Sequence, residues 1–65
     1  MLIGIPEEKE KDKTYINPHY VTQVYSFKSE GKLLTRIFLL EGKYIDTPLP
    51  LMEVVTSLNE RGYKL

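Results

Sequence analysis

The chain has 65 residues, 42% of them hydrophobic and 28% charged. That length carries one small core and excludes a deep cleft walled by two domains. Nine Lys and Arg balance nine Asp and Glu, so the basic excess of a duplex-DNA binder is missing.

The chain has no cysteine. This excludes disulfides, thiolate metal sites and a cysteine nucleophile. Small secreted domains usually need such staples, so a cytoplasmic setting is expected. No apolar run approaches the roughly 20 residues that span a bilayer. The opening Met1-Leu2-Ile3-Gly4-Ile5-Pro6 is short, lacks a basic flank and does not read as a signal peptide.

In chain order, residues 1–5 read as a short strand stopped by Pro6. Residues 7–13 carry four acids, three bases and no apolar side chain, the pattern of a solvated loop. Thr14-Tyr15-Ile16 is β-prone, and Asn17-Pro18 breaks it and starts a turn holding His19 and Tyr20. Residues 21–28 are rich in β-branched and aromatic types and predict a strand. Ser29-Glu30-Gly31-Lys32 signals a hairpin, with Gly31 suited to positive φ.

Residues 33–40 are apolar on both faces and predict a central strand. Glu41-Gly42 turns the chain into a short strand at 43–47. Thr47 is the expected helix N-cap, followed by Pro48 and Pro50. Leu51, Val54, Val55 and Leu58 recur at helical spacing, with Leu51, Val55 and Leu58 expected against the sheet. Gly62 after Arg61 reads as the helix stop, and residues 63–65 are expected to dock on the sheet. The fold expected is α+β over residues 1–65 as one domain. A small antiparallel sheet of three to four strands carries one C-terminal helix on one face, in two layers.

Glu30-Gly31-Lys32 and Glu41-Gly42-Lys43 repeat at a spacing of eleven. They flank one strand and so lie roughly 26 Å apart, which suits two turns rather than one phosphate site. His19 is the single histidine. Asp12, Glu10 and Asp46 are candidates to approach it in space, but nothing in the sequence joins them. One histidine without cysteine is too thin a ligand set for a transition metal. None of the phosphate-loop, dinucleotide or nucleophile-elbow glycine patterns occurs. No enzymatic activity and no cofactor are expected.

Tyr15-Ile16-Asn17-Pro18 with Val21 and Val24, Leu40-Glu41-Gly42-Lys43-Tyr44-Ile45, and the apolar stripe at Glu53-Val54-Val55 resemble the small flagellar and swarming-motility proteins of the FlbD/SwrD type. The resemblance covers residues 14–55 and implies non-enzymatic support of motility. The chain departs from that pattern where the charged run replaces an N-terminal Leu-Asn-Gly turn. It departs again where Ser29-Glu30-Gly31 stands for a Pro-Asp-Thr link. Small phage-encoded regulators share such turn chemistry.

Along the central strand Leu33, Thr35, Ile37 and Leu39 share one side, and Leu34, Arg36, Phe38 and Leu40 the other. One helix covers only one side. The expected function is therefore a regulatory interaction protein that docks a sheet face or edge onto a macromolecular partner. Leu34, Arg36, Phe38, Leu40, Tyr25 and Phe27 are the expected partner or dimer surface. A homodimer or higher oligomer and a host or cellular protein are the partners expected, with Arg36 at the rim or paired to a carboxylate of the other chain. The alternative is an oligomer that holds a nucleotide or other anion with Lys32, Arg36, Lys43 and Tyr44.

Overall fold

The structure is a computed structural model describing residues 2–60. Strand β1 (Ile3–Pro6) pairs antiparallel with β2 (Lys13–Ile16) as a separate two-stranded hairpin. Its inward side carries Ile3, Ile5 and Ile16, all buried. Its outward side brings Gly4 opposite Tyr15, where an added Cβ would lie 2.9 Å from the Tyr15 ring. Pro6 belongs to β1 rather than ending the strand before it, since an end position tolerates the missing N–H. Lys13 likewise belongs to β2, so the charged loop is residues 7–12.

A 3-10 turn, Pro18–Tyr20, follows Asn17, whose side chain accepts the His19 N–H at 3.0 Å. Three antiparallel strands then form one sheet in the order β3 (Val21–Ser29), β4 (Lys32–Leu39), β5 (Tyr44–Thr47). The β3–β4 turn has two residues, Glu30 (φ 51°) and Gly31 (φ 80°). Two left-handed residues in succession match the right-handed twist of the flanking strands. The second turn, Leu40–Gly42, repeats this with Glu41 (φ 66°) and Gly42 (φ 75°). The Glu-Gly-Lys repeat is thus a repeat of backbone conformation. A bulge between Val21 and Gln23 resets the register of β3.

Helix α1 (Leu51–Glu60) packs on one side of this sheet. Ile3, Ile5, Ile16, Val21, Ile37, Ile45, Val54 and Leu58 form one buried cluster, with Val24, Leu39 and Leu49 packed against it. The helix presents Val54 and Leu58, four residues apart, while Leu51 and Val55 are half-buried beside them. The buried line is therefore rotated toward Val54 from the expected Leu51, Val55 and Leu58.

Thr47 is not the N-cap. It ends β5, fully buried, and its hydroxyl accepts the Leu49 N–H at 3.2 Å. The first helical bonds run from the Glu53 and Val54 N–H groups to the Pro50 carbonyl, at 3.0 and 3.1 Å. Proline at 48 and 50 delays the helix until the chain has turned away from the sheet. The expected stop at Gly62 and the docking of residues 63–65 lie outside the described residues.

Candidate functional site

Strand alternation sends two sets of side chains to opposite sides of the three-stranded sheet. Every sheet residue of the core cluster lies on the helix side. The other side carries Tyr25 and Phe27 from β3, Leu34, Arg36 and Phe38 from β4, and Tyr44 and Asp46 from β5. Register sets Tyr25, Arg36 and Asp46 in one row and Gln23, Phe38 and Tyr44 in the next.

The rings touch in a chain. Tyr25 and Phe27 lie 6.3 Å apart between centroids, Tyr25 and Phe38 6.0 Å, and Phe38 and Tyr44 5.4 Å. Two of these pairs meet edge-to-face, at 68° and 63°, the geometry that ring quadrupoles favour. Arg36 sits among them. Its guanidinium carbon is 4.5 Å from the Phe27 centroid and 4.2 Å from that of Tyr44. Its Nε and Nη2 donate to the two Asp46 carboxylate oxygens at 2.7 and 3.0 Å. That pair raises the guanidinium pKa above its ordinary value.

The result is a half-exposed apolar plate with a neutralised charge pair at its centre. Aromatic rings and an arginine already held by contacts within their own chain are the chemistry of protein-binding hot spots. The plate offers a partner ring faces, ring edges and tyrosine hydroxyls, but no unpaired charge on Arg36.

Of the expected surface, Tyr25, Phe27, Arg36 and Phe38 come together here. Leu34 shares the side but is 6% exposed, lying beneath a recess lined by Glu8, Lys9 and Lys32. The loop reaches this position because the Glu8 N–H donates to the Asp46 carbonyl at 2.9 Å, and its carboxylate meets the Lys32 ammonium at 3.5 Å. Thr14 also donates its hydroxyl to Glu7. A loop with nothing apolar thus covers a leucine with the stems of charged side chains. Leu40 leaves the strand side altogether, because the chain turns at Leu40–Gly42. It joins Tyr20, Leu39 and Lys43 around a separate shallow groove that continues to Leu2 and Tyr15.

The anion-binding set is divided. Arg36 and Tyr44 are adjacent, but Arg36 is bound to Asp46 of its own chain rather than standing at a rim. Lys32 is paired with Glu8, and Lys43 lies past the opposite end of β4, about 23 Å away at ~3.3 Å per residue. Asp46 was a candidate for His19, and its carboxylate instead serves Arg36. Sequence reading missed this pair. Its signal was present, since an acid and a base fall opposite one another once the Glu41–Gly42 turn fixes register. Among the described residues no three of His, Cys, Asp or Glu gather as a metal site, and no helix is long and apolar enough to cross a membrane. No family profile, curated protein or solved structure matches this chain.

Proposed function

We propose that this chain is a small non-enzymatic interaction protein that docks its aromatic sheet side onto a protein partner. One observation carries the reading. Tyr25, Phe27, Phe38 and Tyr44 form a connected set of rings around Arg36 on the side from which the core cluster takes nothing. Soluble folds seldom leave such a patch without a use. The resemblance of residues 14–55 to FlbD/SwrD-type proteins suggests the bacterial motility apparatus as the first place to search for the partner.

Site-specific photo-cross-linking tests this. A photoreactive residue in place of Tyr44, which is 49% exposed, should trap one defined protein in cells. The same residue in place of Thr56, exposed on α1, should not. Phe38→Asp should abolish the adduct while NMR dispersion is retained. Equal trapping from both positions, or an adduct indifferent to Phe38→Asp, would overturn the reading.

A further inference from the structure

The three-stranded sheet has two outer edges, and they differ. Along β5 the Asp46 carbonyl already accepts the Glu8 N–H, so the chain's own loop closes that edge. Along β3 the direction of each backbone group follows from the turn. A two-residue turn makes Ser29 and Lys32 the first pair that exchanges hydrogen bonds, and every second pair after it does the same. Phe27 therefore exchanges with Leu34, and Tyr25 with Arg36. Val24, Ser26 and Lys28 aim their N–H and C=O groups away from β4. The same alternation carried to β5 puts the Asp46 carbonyl on its outer edge, where Glu8 meets it.

Among the described residues no other segment donates to or accepts from the backbone of Val24, Ser26 or Lys28. β3 is nine residues long, contains no proline and carries Lys28 as its one charged side chain. Natural edge strands are usually short, charged, bulged or covered. From Val24 to Lys28 this one has a single charge and, among the described residues, none of the other devices.

The geometry points to a second copy of this chain adding antiparallel to β3, with a two-fold axis through Ser26, so that two sheets join into one of six strands. A second copy fits better than an unrelated strand for three reasons. Among the described residues the three-stranded sheet of each copy has one open edge and one closed edge, so like edges of this sheet pair and the assembly stops at two. In this register Ser26 faces Ser26 of the second copy, and Val24 faces Lys28 on either side. All the outward backbone groups are then used, and no like charges meet.

The third reason lies on the aromatic side. There the register sets Tyr25 opposite Phe27 of the second copy, at a pair that is not hydrogen-bonded and whose Cα spacing is about 4.5 Å. The two aromatic plates become continuous. One plate, three strands by about six residues, has a flat footprint on the order of 280 Å², far below the ~800 Å² per partner of a stable interface. Joining two raises it to roughly 560 Å², much nearer that size, so the second copy's Phe27 and its neighbours extend the docking surface. The use of the enlarged plate rests on the function proposed above; the strand pairing rests on the β3 edge alone.

The chain lacks cysteine, so a single introduced thiol reports the contact. A hydrogen-bonded antiparallel pair holds its Cα atoms about 5.5 Å apart, within disulfide reach. Wild-type protein should scatter light as a dimer at micromolar concentration. Ser26→Cys should oxidise to a covalent dimer on the order of a thousandfold faster than Thr56→Cys, the gain of a millimolar effective concentration over a micromolar solution. Ser26→Pro, which removes an outward N–H, should yield a folded monomer. A monomeric wild type, or Ser26→Cys linking no faster than Thr56→Cys, would overturn the proposal even if Ser26→Pro fails to fold. A monomer that still cross-links its partner from position 44 would leave the aromatic surface standing and remove only the dimer. A dimer whose partner binding ignores Phe38→Asp would do the reverse.

Discussion

Thr35 and Thr47 stand directly opposite each other on β4 and β5, and between them they hold both backbone groups of Leu49. The Thr35 hydroxyl donates to the Leu49 carbonyl at 2.7 Å, and the Thr47 hydroxyl accepts the Leu49 N–H at 3.2 Å. Both threonines are almost wholly buried. They anchor the residue that leads into α1, so the helix is placed by the sheet's own side chains. Thr35→Val keeps shape but leaves a carbonyl without its donor, at a cost of about 1–3 kcal/mol. Urea denaturation measures this. A double-mutant cycle with Thr47→Val should show coupling, since both side chains fix the same residue.

Val54 is fully buried and Val55 only half so. Val54→Ala should therefore destabilise by about 1–3 kcal/mol, and Val55→Ala by clearly less. Thermal midpoints of the two variants decide the orientation of the helix. Equal shifts would mean that the buried line runs between them.

Gly31 has φ 80° and nothing within 4 Å of an added Cβ. Gly31→Ala therefore tests conformation without sterics and should cost about 1 kcal/mol. Glu30, at φ 51° in the same turn, is an unfavoured residue in a favoured slot. Glu30→Asn supplies the residue that such turns prefer and should add a few tenths of a kcal/mol or more. Chemical denaturation of both variants would show opposite signs.

Element order was legible because turn chemistry punctuates this chain. Asn17-Pro18, Glu30-Gly31, Glu41-Gly42 and Pro48-Leu49-Pro50 each fall between elements, and the strand limits fall within a residue or two of them. The division of the strands into a hairpin and a separate three-stranded sheet was not legible. It depends on which strands pair, and β1 and β2 pair only across the charged loop. The rotation of α1 toward Val54 was hidden too, because four apolar residues at helical spacing fit two adjacent lines of burial. Thr47 read as a cap because capping and strand-end threonines look alike until Leu49 is placed. For the candidate surface, alternation along β4 correctly grouped Arg36 with Phe38. It could not reveal that Glu8 and Lys9 border a recess over Leu34, because loop paths leave no periodic trace.

The aromatic plate is built around Arg36. Asp46 fixes the guanidinium at two points, and Phe27 and Tyr44 contact it through their rings. Lysine reproduces the charge but neither the two-point geometry nor the planar stacking. Arg36→Lys should therefore lower the urea midpoint, by the modest amount expected of a pair still in contact with solvent. Raising pH should not imitate it. A guanidinium whose folded pKa is raised contributes fully below its ordinary value and loses that contribution only as pH climbs through the folded one. Stability between about pH 6 and pH 10, which ends roughly 2 units or more below the ordinary arginine pKa, should thus show no step assignable to Arg36. The sharper reading comes from binding. If the plate is preorganised by this cation, Arg36→Lys should weaken partner cross-linking from position 44 more than it weakens folding, because loosened rings must be reordered at each encounter. Aromatic proton shifts of Phe27 and Tyr44 should move toward their unstructured values in the same variant. Unchanged ring shifts with undiminished cross-linking would show that strand pairing alone sets the plate.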